Sequence, residues 1–411
     1  MSKFPSFANR MSHVLLALCC SASLPPRVCI PGTRIYVPVP GAPAMAAIED
    51  RLCGESECTV ERMQAGNSNR LWRVRRGVKE SFLLREFDEL LNLDRRTENA
   101  VYKQLAHGGI APPLIACFDG GRIEGWVDGN APSASQCRKP EVAEPVGRAL
   151  AELHLFPPLQ LAADTPVDFD QLWGPARAAT WLQRALRCAD APELAATRHA
   201  PLRARVRRID LVHFRSRLEA YLRRLRARPE FWSGRLACFC HNDLSDTNLL
   251  WRLQPEGARA QMLDFEFAAI NLRGFDLAAH CSHWAGGARD GRYDEQAFPP
   301  PVARRAFLTS YARAWGGEAS TQAEVQAEVQ RLQTEVEVAA PLVHAVWGLW
   351  ALCVLPAATA GEGGAFSHIE YAEQRLAAFE SSLDRLDRLR RIEKREESRE
   401  RVLAALRRGG A

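Results

Sequence analysis

Five short β-rich segments around one helix, followed past Gly129 by helical periodicity almost to the end of the chain, restrict the fold to the α+β class with two unlike lobes. Cys58 to Gln64, Arg70 to Arg76 and Ser81 to Phe87 read as strands, separated by Ala65-Gly-Asn-Ser-Asn69 and by a turn at Gly77. A charged helix from Asp94 to Ala106 closes at His107-Gly108-Gly109, and Leu114 to Phe118 with Arg122 to Val127 form a hairpin across Asp119-Gly-Gly121. These place a small β-rich N-lobe over residues 49–128, with a linker near Trp126 to Asn130. The helical segments Val142 to Leu155, Ala176 to Cys188, Pro201 to Arg226, Pro301 to Trp315, Gln322 to Leu355 and His368 to Leu383 make a C-lobe over 129–384. Within it only Leu236 to Asn248 and Gln261 to Phe267 read as extended.

With 411 residues, 47% of them hydrophobic, the chain can bury a core in each lobe. Its 54 basic residues against 49 acidic ones are too balanced to make nucleic acid the default partner, and fit a mildly basic cleft for an anionic cofactor. The twelve cysteines include Cys19-Cys20 and Cys238-Phe-Cys240 but no C-x2-C pair, so they are expected to be reduced thiols, mostly buried, in a cytoplasmic protein. Neither Val14 to Cys20 nor Ala345 to Leu355 approaches the roughly 20 apolar residues that cross a bilayer, and no membrane span is expected.

Residues 1–48 carry Lys3, Arg10, Arg27 and Arg34 and no acid. A disordered leader ahead of an internal start at Met45 is preferred over an organelle import signal, which this composition also resembles. Arg203 to Arg228 holds ten arginines against Asp210 and Glu219, with Val206, Ile209, Phe214, Leu218 and Leu222 at helical spacing. It reads as a solvated amphipathic helix rather than a membrane or partner surface. Residues 385–411 alternate in sign and read as an exposed charged helix.

Cys238 to Trp251 contains His241-x-Asp243 and, four residues further on, Asn248. That spacing lets one loop aim a carboxylate at a hydroxyl and an amide oxygen at a metal. It arises by chance in roughly 1–2% of chains this long. Met262-Leu-Asp-Phe-Glu-Phe267 then delivers Asp264 and Glu266 at the end of an apolar strand, and paired acids suit Mg2+. Upstream, backbone N–H groups of the loop at Gly66, Asn67, Ser68 and Asn69 can cover phosphates. Arg85 supplies phosphate charge, and Glu98 on the next helix is the candidate to orient it. Phosphoryl transfer needs these parts and little covalent chemistry.

His241-Asn-Asp243, Asn248, Asp264-Phe-Glu266 and Asn271-Leu-Arg-Gly-Phe-Asp276 together resemble the choline/ethanolamine kinase family, which has the two-lobed protein-kinase-like fold shared with aminoglycoside phosphotransferases. The likeness runs from about Val60 to Leu376 and includes Trp347-Gly-Leu-Trp350 and Glu370-Tyr371-Ala372. It implies ATP and Mg2+ as cofactors, Asp243 as catalytic base with His241 and Asn248 as further catalytic residues of the same motif, and Asn248 and Asp264, with Glu266, as metal ligands. Trp347, Trp350, Phe366 and Tyr371 would wall an amine pocket for a small amino alcohol, since aromatic faces attract alkylammonium groups.

Asp94-Arg95, His107 to Pro112, His241 to Leu244 and Trp284-Ala-Gly286 are more similar to ethanolamine kinases than to choline kinases. Phosphoethanolamine, the first step toward phosphatidylethanolamine, is the product implied. Choline kinase, another small-molecule phosphotransferase and an inactive binding module of the same fold are the alternatives, and a homodimer is compatible with the sequence. Two departures stand out. Ala65 replaces the loop's usual first glycine, and His283 stands where the family places a glutamate near the substrate amine.

Overall fold

The computed structural model describes residues 27–29, 36–38, 40–53, 58–63, 69–77, 80–88, 91, 93–162, 165–254, 257–317, 319–360 and 366–409. Strands β1 (Arg27–Cys29) and β2 (Tyr36–Pro38) pair antiparallel with each other. Helix α1 (Ala42–Ile48) and a π-helical turn (Glu49–Cys53) then lead into the N-lobe sheet.

That sheet has the order β3-β4-β5-β7-β6, formed by β3 (Cys58–Arg62), β4 (Asn69–Arg76), β5 (Glu80–Phe87), β6 (Leu114–Phe118) and β7 (Gly121–Gly125), every neighbour antiparallel. The five strands follow the sequence reading closely, while most of the loop expected at residues 65–69 lies outside the described residues. On one face Trp72, Val74, Leu84 and Ile123 bury against Ala44, Ile48 and Leu52, so α1 is part of this lobe's core. The expected boundary at residue 49 therefore moves ahead of α1, where the Gly41 N–H also donates to Glu86 Oε1 at 2.7 Å. Residues 1–26, 30–35 and 39 of the expected leader lie outside those described.

The opposite face of the sheet carries Arg85, Arg122 and Glu124 and is covered by α2 (Arg95–His107). Asp94 caps this helix by accepting the N–H groups of Arg96 and Thr97. Gly109, at φ 72°, takes the left-handed turn after its end. Gly121 allows β5 and β7 to close up, because a Cβ there would sit 2.2 Å from the Arg85 carbonyl.

In the C-lobe, α3 (Pro140–His154), α4 (Trp173–Ala185), α5 (Ala200–Arg208) and α6 (Leu211–Arg226) precede two small sheets. These are β8 (Ala237–Cys240) with β11 (Ala269–Leu272), and the hairpin β9 (Leu249–Gln254) with β10 (Gly257–Met262). Helices α7 (Arg273–His283), α8 (Pro301–Gly316), α9 (Gln322–Ala360) and α10 (His368–Gly409) complete the lobe.

Several expectations need correction here. The arginine-rich stretch is two helices, broken at Ile209 because the Asp210 side chain accepts the His213 N–H and starts α6 anew. Three of its ten arginines reach acids of α10, Arg205 to Glu373, Arg217 to Glu380 and Arg224 to Asp387, so this face packs on another helix and is not wholly solvated. No break occurs at 385. Helix α10 continues through it, with Arg385 bound to Glu295 and Glu337.

Helix α9 over Gln322–Thr359 is long and apolar enough to cross a membrane by length and composition, contrary to the sequence reading. Its apolar window is 94% buried, so its hydrophobicity serves the fold's own core. Cys53 and Cys58 are joined as a disulfide, with Cα atoms 5.7 Å apart, so the expectation of thiols throughout fails for this pair. Cys117, Cys137, Cys188, Cys238, Cys240, Cys281 and Cys353 are free, and all of these but Cys117 and Cys353 are buried.

Candidate active site

The segment 241–248 hangs between β8 and β9 and is anchored from below by Asp276, in the first turn of α7. Its carboxylate accepts the backbone N–H of His241 at 2.6 Å and of Asn242 at 2.7 Å. Asn242 holds a left-handed φ of 68°, and its side chain donates to the Phe267 carbonyl at 2.8 Å while accepting from Asn271 Nδ2 at 2.8 Å. A non-glycine residue in that region is strained and persists only where neighbours over-determine it. His241 is fully buried, with Nε2 2.8 Å from the Leu263 carbonyl and Nδ1 accepting the Asp243 N–H at 3.3 Å. Burial pushes its pKa down. Both ring nitrogens are thus engaged by backbone groups of the two motif segments, which holds the loop in shape around Asp243.

Asn248 uses its Nδ2 on Asp243, donating to Oδ2 and to the backbone carbonyl, both at 2.9 Å. Its amide oxygen is left for another partner. The Leu263 N–H donates to the Asn248 carbonyl at 2.9 Å, so the two motif segments lie side by side. Asp264 follows with a φ of 59°, and its Oδ1 is buried without a hydrogen bond although Arg85 Nη1 is 3.0 Å away. Asp243 is only partly covered, yet its enclosure in the cleft and the nearby carboxylates of Asp264 and Glu266 hold its pKa well above the usual range. Crowded carboxylates beside an amide oxygen are the donor set that Mg2+ takes, and so the residues fit that ion.

Arg85 does not pair with Glu98. Its Nε donates to Glu124 at 2.8 Å, and Glu124 accepts Arg122 Nε at 2.7 Å on the same oxygen. Arg85 and Arg122 are register partners on β5 and β7, so both guanidiniums stand on one face with Glu124 between them. Glu98 instead binds Arg122 and Arg95, each at 2.7 Å. Neither Glu124 nor Arg122 was singled out from the sequence, because strand register is what brings them to Arg85.

Gly66, Asn67 and Ser68 lie outside the described residues. Asn69 opens β4, and its side chain donates to Glu266 at 3.1 Å and accepts from Arg95 Nη2 and the Asp88 N–H, both at 3.3 Å. Glu266 also accepts Arg95 Nη1 at 3.1 Å. These contacts, with Arg85–Asp264, fasten the N-lobe to the C-lobe beside the catalytic loop. They engage Glu266 with nitrogen donors, leaving Asp264 and Asn248 as the oxygen pair at Asp243.

Trp350 meets Trp347 at 5.7 Å, Phe366 at 6.0 Å and Tyr371 at 6.3 Å between ring centroids, so the four aromatic residues named from the sequence form one wall. His368, which sequence reasoning missed, stacks into it 4.7 Å from Phe366. Trp347 also packs on Phe267, Trp173 and Trp181, which makes it as much core as wall. His283 is buried with both ring nitrogens unpartnered.

A β-rich lobe clamped over a helical lobe, with an anchored acidic loop at their junction, defines a protein-kinase-like phosphotransferase fold. Solved structures share it: a Plasmodium vivax ethanolamine kinase at TM-score 0.64 and 19% identity, covering 82% of this chain and 86% of that one. A choline kinase from Cryptosporidium parvum matches at TM-score 0.61 and 23% identity, over 84% of this chain and 96% of that one. The chain belongs to the choline/ethanolamine kinase family, whose sequence profile matches residues 60–380. A human choline/ethanolamine kinase is 24% identical over 289 residues, 68% of this chain and 66% of the relative's own length.

Proposed function

We propose that the chain transfers the γ-phosphoryl group of ATP to the hydroxyl of a small amino alcohol, with ethanolamine ahead of choline. The observation that carries this is the meeting of Asp243, Asn248 and Asp264 at the foot of the cleft, under Arg85. Asp243 accepts the hydroxyl proton on its carboxylate and orients the oxygen for in-line attack. Asn248 fixes that carboxylate through its Nδ2, and its amide oxygen with Asp264 would hold Mg2+. Arg85 keeps its charge, its pKa held well above the ordinary value by Asp264 and Glu124 against the effect of burial, and faces the phosphates. When bound, the ion neutralises charge on the phosphate oxygens. Ethanolamine is placed ahead of choline on the segments Asp94-Arg95, His107 to Pro112, His241 to Leu244 and Trp284 to Gly286.

Purified protein incubated with Mg-ATP and, in turn, ethanolamine, choline and kanamycin tests the reading by mass spectrometry of the phosphorylated product. Phosphoethanolamine is expected to form fastest. Asp243→Ala and Asp264→Ala are each expected to keep the fold and to lose more than about tenfold in kcat/KM. Activity within that range in both, or transfer to none of the three, contradicts the proposal and favours a binding module.

A further inference from the structure

Five arginines are buried among the described residues, and four of them face a carboxylate. Arg85 meets Glu124 at 2.8 Å, Arg122 meets Glu98 at 2.7 Å, Arg273 meets Glu335 at 2.6 Å and Arg304 meets Glu337 at 2.6 Å. Arg375, on α10, has no such partner. Its Nη1 donates to His344 Nδ1 at 3.1 Å, and its guanidinium lies over the rings of Tyr293 and Tyr371 at 4.4 and 5.0 Å.

Its Nε and Nη2 are buried with no hydrogen-bond partner. That edge of a guanidinium grips a carboxylate side-on, and in this protein Arg273 shows it, donating Nε and Nη2 to the two oxygens of Glu335 at 2.8 and 2.6 Å. A buried guanidinium without a counter-charge is destabilising by several kcal/mol, and unsatisfied buried donors in a folded protein call for an explanation.

Two carboxylates lie nearby, Asp243 and, 3.7 Å from His344 Nε2, Glu295, and neither forms an ion pair with Arg375. His283 presents two unpartnered ring nitrogens, and the Nε1 atoms of Trp347 and Trp350 are unpartnered too. Burial and then Arg375 hold the His283 and His344 imidazoles neutral. Glu295, on that side, is bound by the Tyr293 hydroxyl at 2.8 Å and by Arg385 at 2.7 Å. The cluster nevertheless belongs to the active site. Tyr371 lies one turn before Arg375 in the aromatic wall, and Arg375 is near enough to Asp243 to favour its ionised form. His283, buried beside this cation and held neutral, offers it no counter-charge.

We infer that the substrate of this site carries a carboxylate, received by the Nε and Nη2 edge of Arg375 beside His283, in addition to the hydroxyl presented to Asp243. This rests on the phosphotransferase reading, keeps ethanolamine ahead of choline among simple amino alcohols, and places ahead of both a hydroxylated carboxylic acid, with an ammonium group, where present, against the aromatic wall.

The test compares kcat/KM for ethanolamine, choline, L-serine, glycerate and glycerol 3-phosphate in the wild type and in His283→Glu. At least one of the two carboxylates is expected to exceed ethanolamine by about tenfold or more in the wild type. His283→Glu, which supplies Arg375 with an internal carboxylate, is expected to reverse that order and to raise the thermal unfolding midpoint. Ethanolamine or choline equal to or ahead of both carboxylates in the wild type overturns the inference and leaves the kinase reading intact. A preference for glycerol 3-phosphate overturns the carboxylate in favour of a phosphate, and phosphorylation of none of the five overturns the kinase reading and this inference with it.

Discussion

Glu124 separates two arginines that strand register places side by side, and this single carboxylate holds both. Burial alone would raise its pKa, yet Arg85 and Arg122 outweigh that and bring it to about 2. A carboxyl lowered on folding contributes stability above the unfolded value of about 4.3, lost as the pH falls toward the folded one. Glu124→Gln is therefore expected to lose about 3–5 kcal/mol in urea unfolding at pH 7, and less near pH 2. Asp243 has the opposite sign. Its raised pKa means that the metal-free protein is favoured below about pH 3.9 and loses stability as the pH climbs through the higher folded value. Asp243→Asn is expected to unfold at a higher temperature than the wild type at pH 8 without Mg2+, and to have no transferase activity. An unchanged midpoint would show that the carboxylates are not crowded.

At the scale of elements, the catalytic loop depends on the first turn of α7. Asp276 accepts two backbone N–H groups of the loop, and each such bond to a charged acceptor contributes about 1.5–3 kcal/mol. Asp276→Ala is expected to lower both stability and kcat while leaving the KM for ATP within about threefold, since the nucleotide contacts lie elsewhere. Parallel loss of KM and kcat would count against a positioning role. The loop motif was legible because its spacing is local, four residues between Asp243 and Asn248 letting the Asn248 amide turn back onto the Asp243 carboxylate. The partner of Arg85 was not, since Glu98 and Glu124 are equally plausible in one dimension and strand register decides between them. The break at Ile209 was likewise hidden, because the apolar spacing runs through it and only the Asp210 cap reveals it.

Across the whole molecule, the two-lobed order of elements could be read from the change of periodicity at Gly129, and the family profile covers residues 60–380 of it. What escaped the sequence reading was long-range burial. Helix α1 joins the N-lobe through Ala44 and Ile48, and the uncharged run from Val338 to Leu355 is the centre of the C-lobe rather than a short apolar patch. Both follow from contacts between segments far apart in the chain. The interlobe contacts Arg85–Asp264 and Arg95–Glu266 place the cleft above Asp243, and the account stands on that placement. Anomalous diffraction from crystals grown with Mn2+ and a non-hydrolysable ATP analogue measures it directly. The account requires a manganese peak about 2.0–2.3 Å from an Asp264 carboxylate oxygen and the Asn248 amide oxygen, with the phosphates between Arg85 and Asp243. A nucleotide bound with its metal away from those two residues would contradict it.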